Sequence, residues 1–436
     1  MKRSTETART EGRRRGRATG WRLIPALDSQ RLDRPLETVA LSQVTEVEIG
    51  RGEDWALRRS GTQLRIDLPD RSASNRHARL LRDADGWRIE DAGSKNGTLV
   101  NGVEVGASPV ADGDVVECGG TFFVLRRGGE AAELPAGLVT RSPALERELA
   151  ALPKIARSLV PVMIRGESGT GKEGVASAVH ELSGRSGPFV VVNCGAIPST
   201  LIESELYGTR RGAFSGALDR PGLVRGAEGG TLFLDEVAEL RGDAQASLLR
   251  FLQEGEILPI GGDKPVRVNV RIVAATNRDV EALTGSGAFR PDLYARLRGY
   301  EVRLPPLRAR LEDLGELVAA LIERHDPDGP PRSLTRTAAR ALFQHGWPFN
   351  VRELEQVLRS ALALATGPEI RRDDLKLGNP PASAPAPVDE RERLLALLAK
   401  HGGNLSGVAR ELGTSRSQIH RLLERHRIAP EEFRRG

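Results

Sequence analysis

Residues 21–127 carry short apolar runs that are separated by Gly, Asp, Asn and Ser. These runs are TEVEIG, LRIDLP, HARLLRD, GWRIED, GTLVNG and GDVVECGGTFFVLRR. Short runs with turn residues between them are typical of the strands of an all-β sandwich. We therefore predict an all-β sandwich domain over residues 21–127.

The pattern changes after residue 137, where apolar runs alternate with helical stretches. The runs are PVMIRG, PFVVVNC, GTLFLDE and VRIVAATN. Such alternation predicts a parallel α/β sheet, which we assign to residues 138–305. Beyond Pro306 the apolar residues recur at helical spacing in DLGELVAALIERH, LTRTAARALFQ and VRELEQVLRSALALA. Residues 306–376 are accordingly predicted to form a helical subdomain.

The last segment, residues 389–436, is predicted to be all-α. Apolar residues at positions 405, 408, 409 and 412 share one helix face, and Ile419, Leu422 and Leu423 share another beyond Gly413. A helix, a glycine turn and a second helix form the pattern of a helix-turn-helix unit. Helical hairpins also serve as protein-packing units, and that alternative stays open.

Three segments lack apolar periodicity, at residues 1–20, 128–137 and 377–388. The first holds seven Lys or Arg and two acids, which predicts a disordered, solvated arm. The second contains glycines and a proline and is interpreted as a linker. The third is rich in Pro and Ala, which predicts an extended and semi-rigid tether.

Composition limits the class of protein. The net charge of +5 permits a nucleic-acid partner without requiring one. No stretch of eighteen apolar residues occurs, so no membrane span is predicted, and the N-terminus lacks the apolar core of a secretory signal. Cys118 and Cys194 lie far apart and cannot form a disulfide framework, which favours a cytoplasmic location.

A glycine-rich run follows the strand-like VPVMIR and precedes the helix-like EGVASAVHEL. It consists of Gly166, Glu167, Ser168, Gly169, Thr170, Gly171, Lys172 and Glu173. In a P-loop the glycines let backbone N–H groups surround phosphate oxygens, and the lysine reaches the β- and γ-phosphates. The order of strand, loop and helix favours ATP binding over a simple turn. Glu173 stands where the general motif has a Ser or Thr ligand for Mg²⁺.

Two acids, Asp235 and Glu236, end the apolar run TLFLDE. Charge at the carboxyl end of a parallel strand lies where α/β folds bind ligands. Asp235 is the candidate ligand for Mg²⁺, and Glu236 is the candidate residue that orients or deprotonates the attacking water. Alone, such a pair is usually the start of a solvated loop, but its position after a P-loop favours catalysis.

Seven motifs occur in a fixed order along the middle of the chain. They are GESGTGKE, ESELYG, GAFSGA, GGTLFLDE, VRIVAATNRD, FRPDLYARL and NVRELEQ. In this order they resemble the NtrC-type AAA+ activators of sigma-54 RNA polymerase, over about residues 138–376. That family also has Glu after its P-loop lysine. The resemblance implies a P-loop ATPase in which the helical residues 306–376 form a lid. It also implies assembly into a hexameric ring with ATP between subunits.

The same resemblance implies roles for single residues. Arg290 and Arg296 match the arginine fingers that act from the neighbouring subunit, and Arg352 matches the sensor arginine. Thr276 and Asn277 match the first sensor, and Asn193 matches the residue that restrains the catalytic Glu. Without the resemblance, Arg290 and Arg296 would be read as ordinary surface arginines.

The run GAFSGA comprises Gly212, Ala213, Phe214, Ser215, Gly216 and Ala217. It lies in a stretch that is rich in Gly and charge, so Phe214 is predicted at an exposed loop tip instead of in a core. The family loop reads GAFTGA and contacts sigma-54 when ATP orders it; Ser215 keeps the hydroxyl and loses the methyl group. Phe349 is a second departure, because the family has Gly there. We expect strain if that position needs positive φ, and we expect Asn350 to act as a helix N-cap.

Short motifs mark the loops of the predicted sandwich. They are Gly50-Arg51, Ser74-Asn75-Arg76-His77, Ser94-Lys95-Asn96-Gly97-Thr98 and Asn101-Gly102. They resemble a forkhead-associated (FHA) domain, whose loops bind phosphothreonine peptides. Arg51 would pair with the phosphate, Ser74 would donate its hydroxyl, Asn96 would hold the peptide backbone, and Arg76 would add a cation beside Asn75. His77 is predicted to be structural. Loops of this composition also occur as plain hairpin turns.

The C-terminal segment resembles the Fis-type domain of the same activators. Arg416, Ser417, Gln418 and His420 begin its second helix, where base edges are read, and Arg421 would favour phosphates. We therefore predict a partner in enhancer DNA.

Together these modules predict an activator that binds enhancer DNA and uses ATP to remodel sigma-54 RNA polymerase holoenzyme. No receiver domain is recognisable, so the regulatory signal is predicted to come from a phosphothreonine protein. Two alternatives stay open. One is a DNA-bound regulator or repressor that does not remodel sigma-54. The other is an AAA+ unfoldase or chelatase, although such motors lack the GAFSGA loop.

Overall fold

The computed structural model describes residues 20–378 apart from 34–35, 85, 130–133, 136, 199 and 214–217. Beyond residue 378 it describes single positions between 395 and 428. The chain divides into two compact units, Met1–Leu377 and Gly378–Gly436.

The first module of the larger unit is a β-sandwich. Its strands are β1 Trp21–Asp28, β2 Val39–Ala40, β3 Glu46–Arg51, β4 Ala56–Ser60, β5 Gln63–Leu68, β6 Ala78–Arg82, β7 Trp87–Asp91, β8 Thr98–Val100, β9 Val103–Val105, β10 Ala107–Val110, β11 Val115–Cys118 and β12 Thr121–Arg127. They form two six-stranded sheets in the orders β2-β1-β12-β11-β8-β9 and β10-β7-β6-β3-β5-β4. The inner faces bury alternate residues such as Val47, Ile49 and Ile66, as expected of packed sheets. The predicted all-β sandwich is confirmed.

The second module is built on a parallel sheet. Its elements are α1 Pro143–Leu149, α2 Leu152–Ala156, β13 Val162–Arg165, α3 Lys172–Ser183, β14 Phe189–Asn193, α4 Ile202–Tyr207, β15 Gly208–Thr209, β16 Arg220–Pro221, α5 Leu223–Gly226, β17 Thr231–Asp235, a 3-10 turn Val237–Glu239, α6 Gly242–Glu254, β18 Glu256–Ile257, β19 Val266–Arg267, β20 Arg271–Thr276, α7 Val280–Gly285, α8 Pro291–Leu297 and β21 Tyr300–Arg303.

Five of these strands form the parallel sheet, in the order β14-β17-β20-β13-β21. The central strands are apolar between their ends because helices cover both faces of the sheet. Leu232 and Leu234 face one core, and Phe233 and Val273 face the other. The predicted α/β module is confirmed.

A helical lid follows the sheet. It contains 3-10 turns Leu307–Ala309 and Leu311–Asp313, helices α9 Leu314–His325, α10 Arg336–Gln344 and α11 Asn350–Leu364, and a parallel pair of short strands, β22 Ser333–Leu334 and β23 Glu369–Ile370. Thr335 caps α10 by accepting from Ala338 N. Trp347 is fully buried among the helices and donates from Nε1 to Leu342 O. The predicted helical lid is confirmed.

The sandwich packs directly on the lid. Ala26, Leu27, Phe122 and Val124 of the sandwich share one apolar cluster with residues of α9 and α10. The rings of Phe122 and Phe343 stack with their centroids 4.8 Å apart. We call this surface the docking interface.

Charged groups and backbone also cross the docking interface. Arg340 binds the buried Glu117 carboxylate with two hydrogen bonds of 2.6 and 2.7 Å. Leu334 N donates to Ser29 O over 2.7 Å. Nothing in the apolar periodicity of either module indicates this interface.

The smaller unit is described at few positions. Leu398, Leu405, Val408, Leu423 and Ile428 are buried in one cluster, which fits the predicted helix faces. The predicted DNA-reading residues Arg416–Arg421 lie outside the described residues. Across the described part of the chain, no helix has the length and apolar character needed to cross a membrane.

Candidate functional site

The P-loop joins the end of β13 to the start of α3, as predicted. Gly166 N donates to Thr276 O of the neighbouring strand β20, and Thr170 Oγ1 donates to Glu167 O across the loop. Gly171 stands directly before α3 with a left-handed backbone, and Glu173 is exposed in the first helical turn. The helix N-terminus therefore points its free N–H groups at the space inside the loop.

Lys172 is buried beneath the P-loop and donates from Nζ to Gly166 O and Glu167 O, both over 3.2 Å. Burial lowers the pKa of the Lys172 ammonium, while Asp235 and Glu236 oppose that shift. The lysine and the two acids thus share one electrostatic environment, although they lie more than sixty residues apart in the sequence.

The acidic pair lies at the carboxyl end of β17. β14 pairs with this strand so that Asn193 stands beside Asp235. Asp235 Oδ1 accepts from Glu236 N over 3.0 Å, and Glu236 has a left-handed backbone with φ 55°. Burial raises the pKa of Glu236, against the attraction of Lys172. A carboxylate with a raised pKa at a sheet edge is suited to accept a proton.

The remaining residues of the sheet edge are arranged around this pair. Thr276 is buried at the end of β20 and accepts from Arg278 N through its hydroxyl, whereas Asn277 is exposed. Asn193 Oδ1 accepts from Gly195 N and Ala196 N over 3.0 and 3.1 Å. The Asn193 side-chain oxygen therefore stabilises the turn that follows β14. This strand is the neighbour of β17, which ends directly before Glu236.

The lid reaches the P-loop through α11. Arg352 donates from Nη1 to Ser168 Oγ over 2.7 Å. Val351 N donates to Gly169 O over 2.9 Å. A Cβ on Gly169, which has φ 76°, would lie 2.3 Å from Phe349 O, so the loop needs glycine at the point where the lid touches it.

One expectation about the start of α11 is wrong, and the condition attached to another is not met. Phe349 has φ −109°, so its exposed side chain costs no backbone strain; the positive φ values fall on Trp347 and Asn350. Asn350 is not a side-chain N-cap, because the cap position is Phe349. Asn350 is instead fully buried: its Oδ1 accepts from Leu307 N, and its Nδ2 donates to Glu167 Oε2 and Ser168 O.

Arg308 and Arg310 are further P-loop contacts that the sequence prediction missed. Arg308 binds both oxygens of Glu167, and this pairing lowers the pKa of Glu167 to about 2. Arg310 donates from Nη2 to Thr170 O over 2.7 Å. The sequence shows a basic run, PPLRAR, just after the last strand of the parallel sheet. Nothing in that run indicates that its arginines contact the P-loop.

Arg290 and Arg296 lie on the exposed side of α8 and its cap. Arg290 forms two hydrogen bonds to Asp292, of 3.0 and 2.7 Å, and this raises the pKa of its guanidinium. Arg296 is exposed in the last turn of α8. Both arginines are therefore accessible to a second molecule.

The donor set is suited to nucleotide-bound Mg²⁺. Among the described residues no group of three His, Cys, Asp or Glu side chains could hold a metal by itself. Mg²⁺ is commonly bound by one or two carboxylates together with substrate phosphates and water. Asp235, at the strand end and in the electrostatic field of Lys172, fits that pattern.

The GAFSGA loop is held at its base. β15 and β16 pair there, and Thr209 Oγ1 donates to Leu218 O over 2.8 Å. Ala213 N donates to Arg210 O, and Gly212 has φ 89°. Phe214, Ser215, Gly216 and Ala217 lie outside the described residues.

The motif loops of the sandwich meet at one rim. Arg51 donates twice to Asn75 Oδ1, over 3.2 and 2.9 Å, and is exposed. Lys95 N donates to Ser74 Oγ over 3.0 Å, and Asn96 Nδ2 donates to Ser72 O over 2.7 Å. A cation, a hydroxyl and an amide thus lie together on the surface, as a phosphopeptide site requires.

His77 lies beneath this rim. It is fully buried, and Ser74 N donates to its Nδ1 while its Nε2 contacts Gly97 O over 3.2 Å. Burial lowers the pKa of the imidazole, so the neutral ring links the two loops. Arg76 is exposed and lies 3.6 Å from Glu48. The structural role predicted for His77 is confirmed.

Four known families match this chain. They are the Sigma-54 interaction domain over residues 138–303, the FHA domain over residues 47–119, the AAA+ ATPase lid domain over residues 308–386, and the bacterial regulatory protein, Fis family, over residues 388–426. The predicted order of modules is therefore matched by four independent families, including the segment that the structure describes sparsely.

Relatives support the same reading. The chain is 41% identical to the response regulator protein PilR of Pseudomonas aeruginosa, over 74% of this chain and 79% of that protein. It is 45% identical to the Nif-specific regulatory protein of Azotobacter vinelandii, over 65% of this chain but 57% of that protein. Among solved structures, NtrX from Brucella abortus in complex with ATP superposes with a TM-score of 0.51 at 33% identity, covering 66% of this chain and 69% of that one. The chain belongs to the NtrC-type family of sigma-54-dependent transcriptional activators, with an AAA+ ATPase domain, an FHA domain and a Fis-type helix-turn-helix domain.

Proposed function

We propose that this chain hydrolyses ATP and uses the energy to remodel sigma-54 RNA polymerase holoenzyme at promoters. The observation that carries the proposal is the meeting of Lys172, Asp235 and Glu236 below a P-loop that the lid contacts. A P-loop, an acidic strand end and a sensor arginine are the parts that phosphoryl transfer needs.

Nucleotide binding is assigned to the P-loop residues 166–173 with Thr276, Asn277 and Arg352. Backbone N–H groups at the start of α3 would bind phosphate oxygens, and Lys172 would exchange its carbonyl partners for the β- and γ-phosphates. Arg352, which donates to Ser168 of the P-loop, would sense the terminal phosphate. NtrX in complex with ATP supports this assignment by similarity.

Hydrolysis is assigned to Glu236, which would take a proton from the attacking water. Asp235 would hold Mg²⁺, which neutralises charge on the phosphates when it is bound. Asn193 would restrain Glu236 from the adjacent strand. The left-handed backbone at Glu236 fits a position where strain is kept for function.

Assembly is assigned to Arg290 and Arg296, which would complete the site of the neighbouring subunit in a hexameric ring. A guanidinium supplied in trans stabilises charge on the transferred phosphoryl group. The exposure of both side chains supports this role, because neither binds the P-loop of its own subunit.

Three further surfaces would connect the motor to its partners. The loop 212–217 would contact sigma-54, and the pinned base of the loop supports delivery of force to its tip. Arg51, Ser74, Asn75, Arg76 and Asn96 would bind a phosphothreonine protein that regulates the motor. The Fis-type domain would bind enhancer DNA through Arg416, Ser417, Gln418, His420 and Arg421.

The test is open-complex formation by purified sigma-54 holoenzyme on a promoter with an upstream binding site. We expect complexes with the wild-type chain and ATP, none with Glu236→Gln, and few with Ser215→Ala although it still hydrolyses ATP. Lys154→Ala, at an exposed position on α2, is the matched control.

A second candidate is a DNA-bound regulator that does not remodel sigma-54. The observation in its favour is Ser215, which replaces the Thr of the family loop motif. Phe349, the other departure from the family motifs, causes no backbone strain and so does not favour this candidate. ATP turnover by the wild-type chain without open complexes would select this candidate.

A further inference from the structure

Residues 307–316, which we call the strap, run from the end of the parallel sheet into the first turn of α9 and contact the P-loop along one side. Arg308 holds Glu167, and Arg310 holds the Thr170 carbonyl oxygen. The backbone N–H of Leu307 is held by Asn350. The strap therefore fixes backbone and side-chain groups at two points of the loop that surrounds the phosphates.

The other side of the strap contacts the sandwich. Arg126 of β12 donates to Ala309 O and to Glu312 Oε2, over 2.7 and 2.6 Å. The Glu312 side chain is fully buried and that of Arg126 is 17% exposed, so the carboxylate of this ion pair is shielded from water. Gly315 packs against β1 so closely that an added Cβ would lie 2.0 Å from Ala26 O.

Arg141 makes a second connection between the strap and the sandwich. It donates from Nε to Glu316 Oε1 and from Nη1 to Pro25 O and Leu36 O. Polar groups that bind two modules inside a buried interface are costly to separate, because each would lose its partner in a low-dielectric surrounding.

Asp313 lies at the centre of these contacts and is 2% exposed. Its carboxylate accepts from the Thr140 hydroxyl and from Arg141 N, over 2.8 and 2.6 Å. It also lies 3.4 Å from Arg310 Nη1. One side chain thus binds the segment that touches the sandwich and the arginine that touches the P-loop.

We infer that Asp313 is a positioning residue that holds Arg310 on the P-loop while the sandwich holds the strap, so that undocking the sandwich weakens nucleotide binding. The inference rests on the proposal that the P-loop binds ATP. Coupling between two sites is reciprocal, so nucleotide binding also strengthens docking.

The test is the Kd of ADP with Mg²⁺, measured by calorimetry on the full chain. Arg126→Ala cuts the strap from β12 without touching the P-loop, and we expect the Kd to rise about tenfold, within the usual range of allosteric coupling. Asp313→Asn should raise it similarly, and the double variant should lose little more, because both changes break one connection. If Arg126→Ala does not fold, Arg126→Lys keeps the charge and tests the loss of the Ala309 contact.

Docking is measured separately by amide exchange of Leu334, whose N–H donates to Ser29 O across the docking interface. Saturating ADP should slow this exchange in the wild type and not in Asp313→Asn, a difference that a purely structural role does not produce. Arg79→Ala, which cuts an ion pair to Glu90 elsewhere on the sandwich, is the matched control and should keep the wild-type Kd.

An unchanged ADP Kd in Arg126→Ala together with faster Leu334 exchange would overturn the inference, since the sandwich would then be undocked without effect. Additive losses in the double variant would also overturn it. If the wild type binds no ADP, the proposed function itself fails, and this is visible before any variant is made.

Discussion

Two loops of this chain are suited to phosphate groups, and they are supported in different ways. The P-loop is contacted by another module, the lid: α11 reaches Ser168 and Gly169, and the strap reaches Glu167 and Thr170. The rim of the sandwich is supported by its own side chains, through the Arg51–Asn75 and Ser74–Lys95 contacts.

On the proposed function, this difference would separate reception of a signal at the rim from the ATP-driven work of the motor. A loop that another module contacts can change its affinity when that module moves, whereas the contacts that support the rim lie within the sandwich itself. We therefore expect variants of the rim to leave ATP chemistry intact, and variants of the docking interface to alter it.

The largest expected effect comes from Lys172→Ala, which removes the buried cation below the P-loop. ATP turnover should fall about 100-fold or more, as when a main electrostatic contact to the reacting group is lost. Phosphate release by the full chain measures this, with Lys154→Ala as control. Phosphothreonine-peptide affinity should stay at the wild-type value. A parallel loss of peptide binding would show that the rim and the P-loop are not supported separately.

Next is Phe343→Ala, which removes the ring that stacks on Phe122 in the docking interface. The free energy of unfolding of the larger unit should fall by about 3–5 kcal/mol, as for other buried Phe to Ala changes. Urea unfolding measures it, and Val103→Ala, at an exposed position on the sandwich, is the control. A loss no greater than in the control would mean that the two modules are not packed together in solution.

Arg51→Ala should have a smaller effect, confined to the rim. A hydrogen bond to a charged group contributes about 1.5–3 kcal/mol, so affinity for a phosphothreonine peptide should fall roughly 10- to 100-fold. Fluorescence anisotropy with a labelled peptide measures the change, beside Arg79→Ala. ATP turnover without peptide should be unaffected; equal affinity in variant and wild type would remove the rim as the receptor site.

The smallest expected effect is that of Phe349→Gly. Because Phe349 has φ −109°, glycine relieves no strain there, and stability should change by less than about 1 kcal/mol. Thermal unfolding and ATP turnover measure the outcome. A marked gain in either would show that the bulky side chain hinders the contact between lid and P-loop.

The sequence was sufficient to predict elements whose chemistry is local. A strand, a glycine-rich loop and a helix follow one another at Gly166–Lys172, and an apolar strand ends in Asp235 and Glu236. A strand that is buried on both faces of a sheet is apolar at nearly every position, so it can be recognised as a continuous apolar run in the sequence. The rim motifs were assigned through their resemblance to an FHA domain, and the structural role of His77 was predicted within that resemblance.

Contacts between modules could not be predicted in this way. Strand β1 was not among the predicted runs, although it is almost wholly buried between β12 and the lid. Periodicity shows that a face is buried but not what buries it. The prediction of Asn350 as a local cap is wrong because helix-start statistics describe neighbours in sequence, whereas its partners Glu167 and Ser168 come from the P-loop.

The most direct test of the account is ATP turnover by the purified full chain with Mg²⁺ and its DNA site, measured over a range of protein concentrations. We predict turnover that rises in specific activity as the chain assembles and that is lost in Glu236→Gln. No phosphate release at any concentration, or undiminished release by Glu236→Gln, would contradict it.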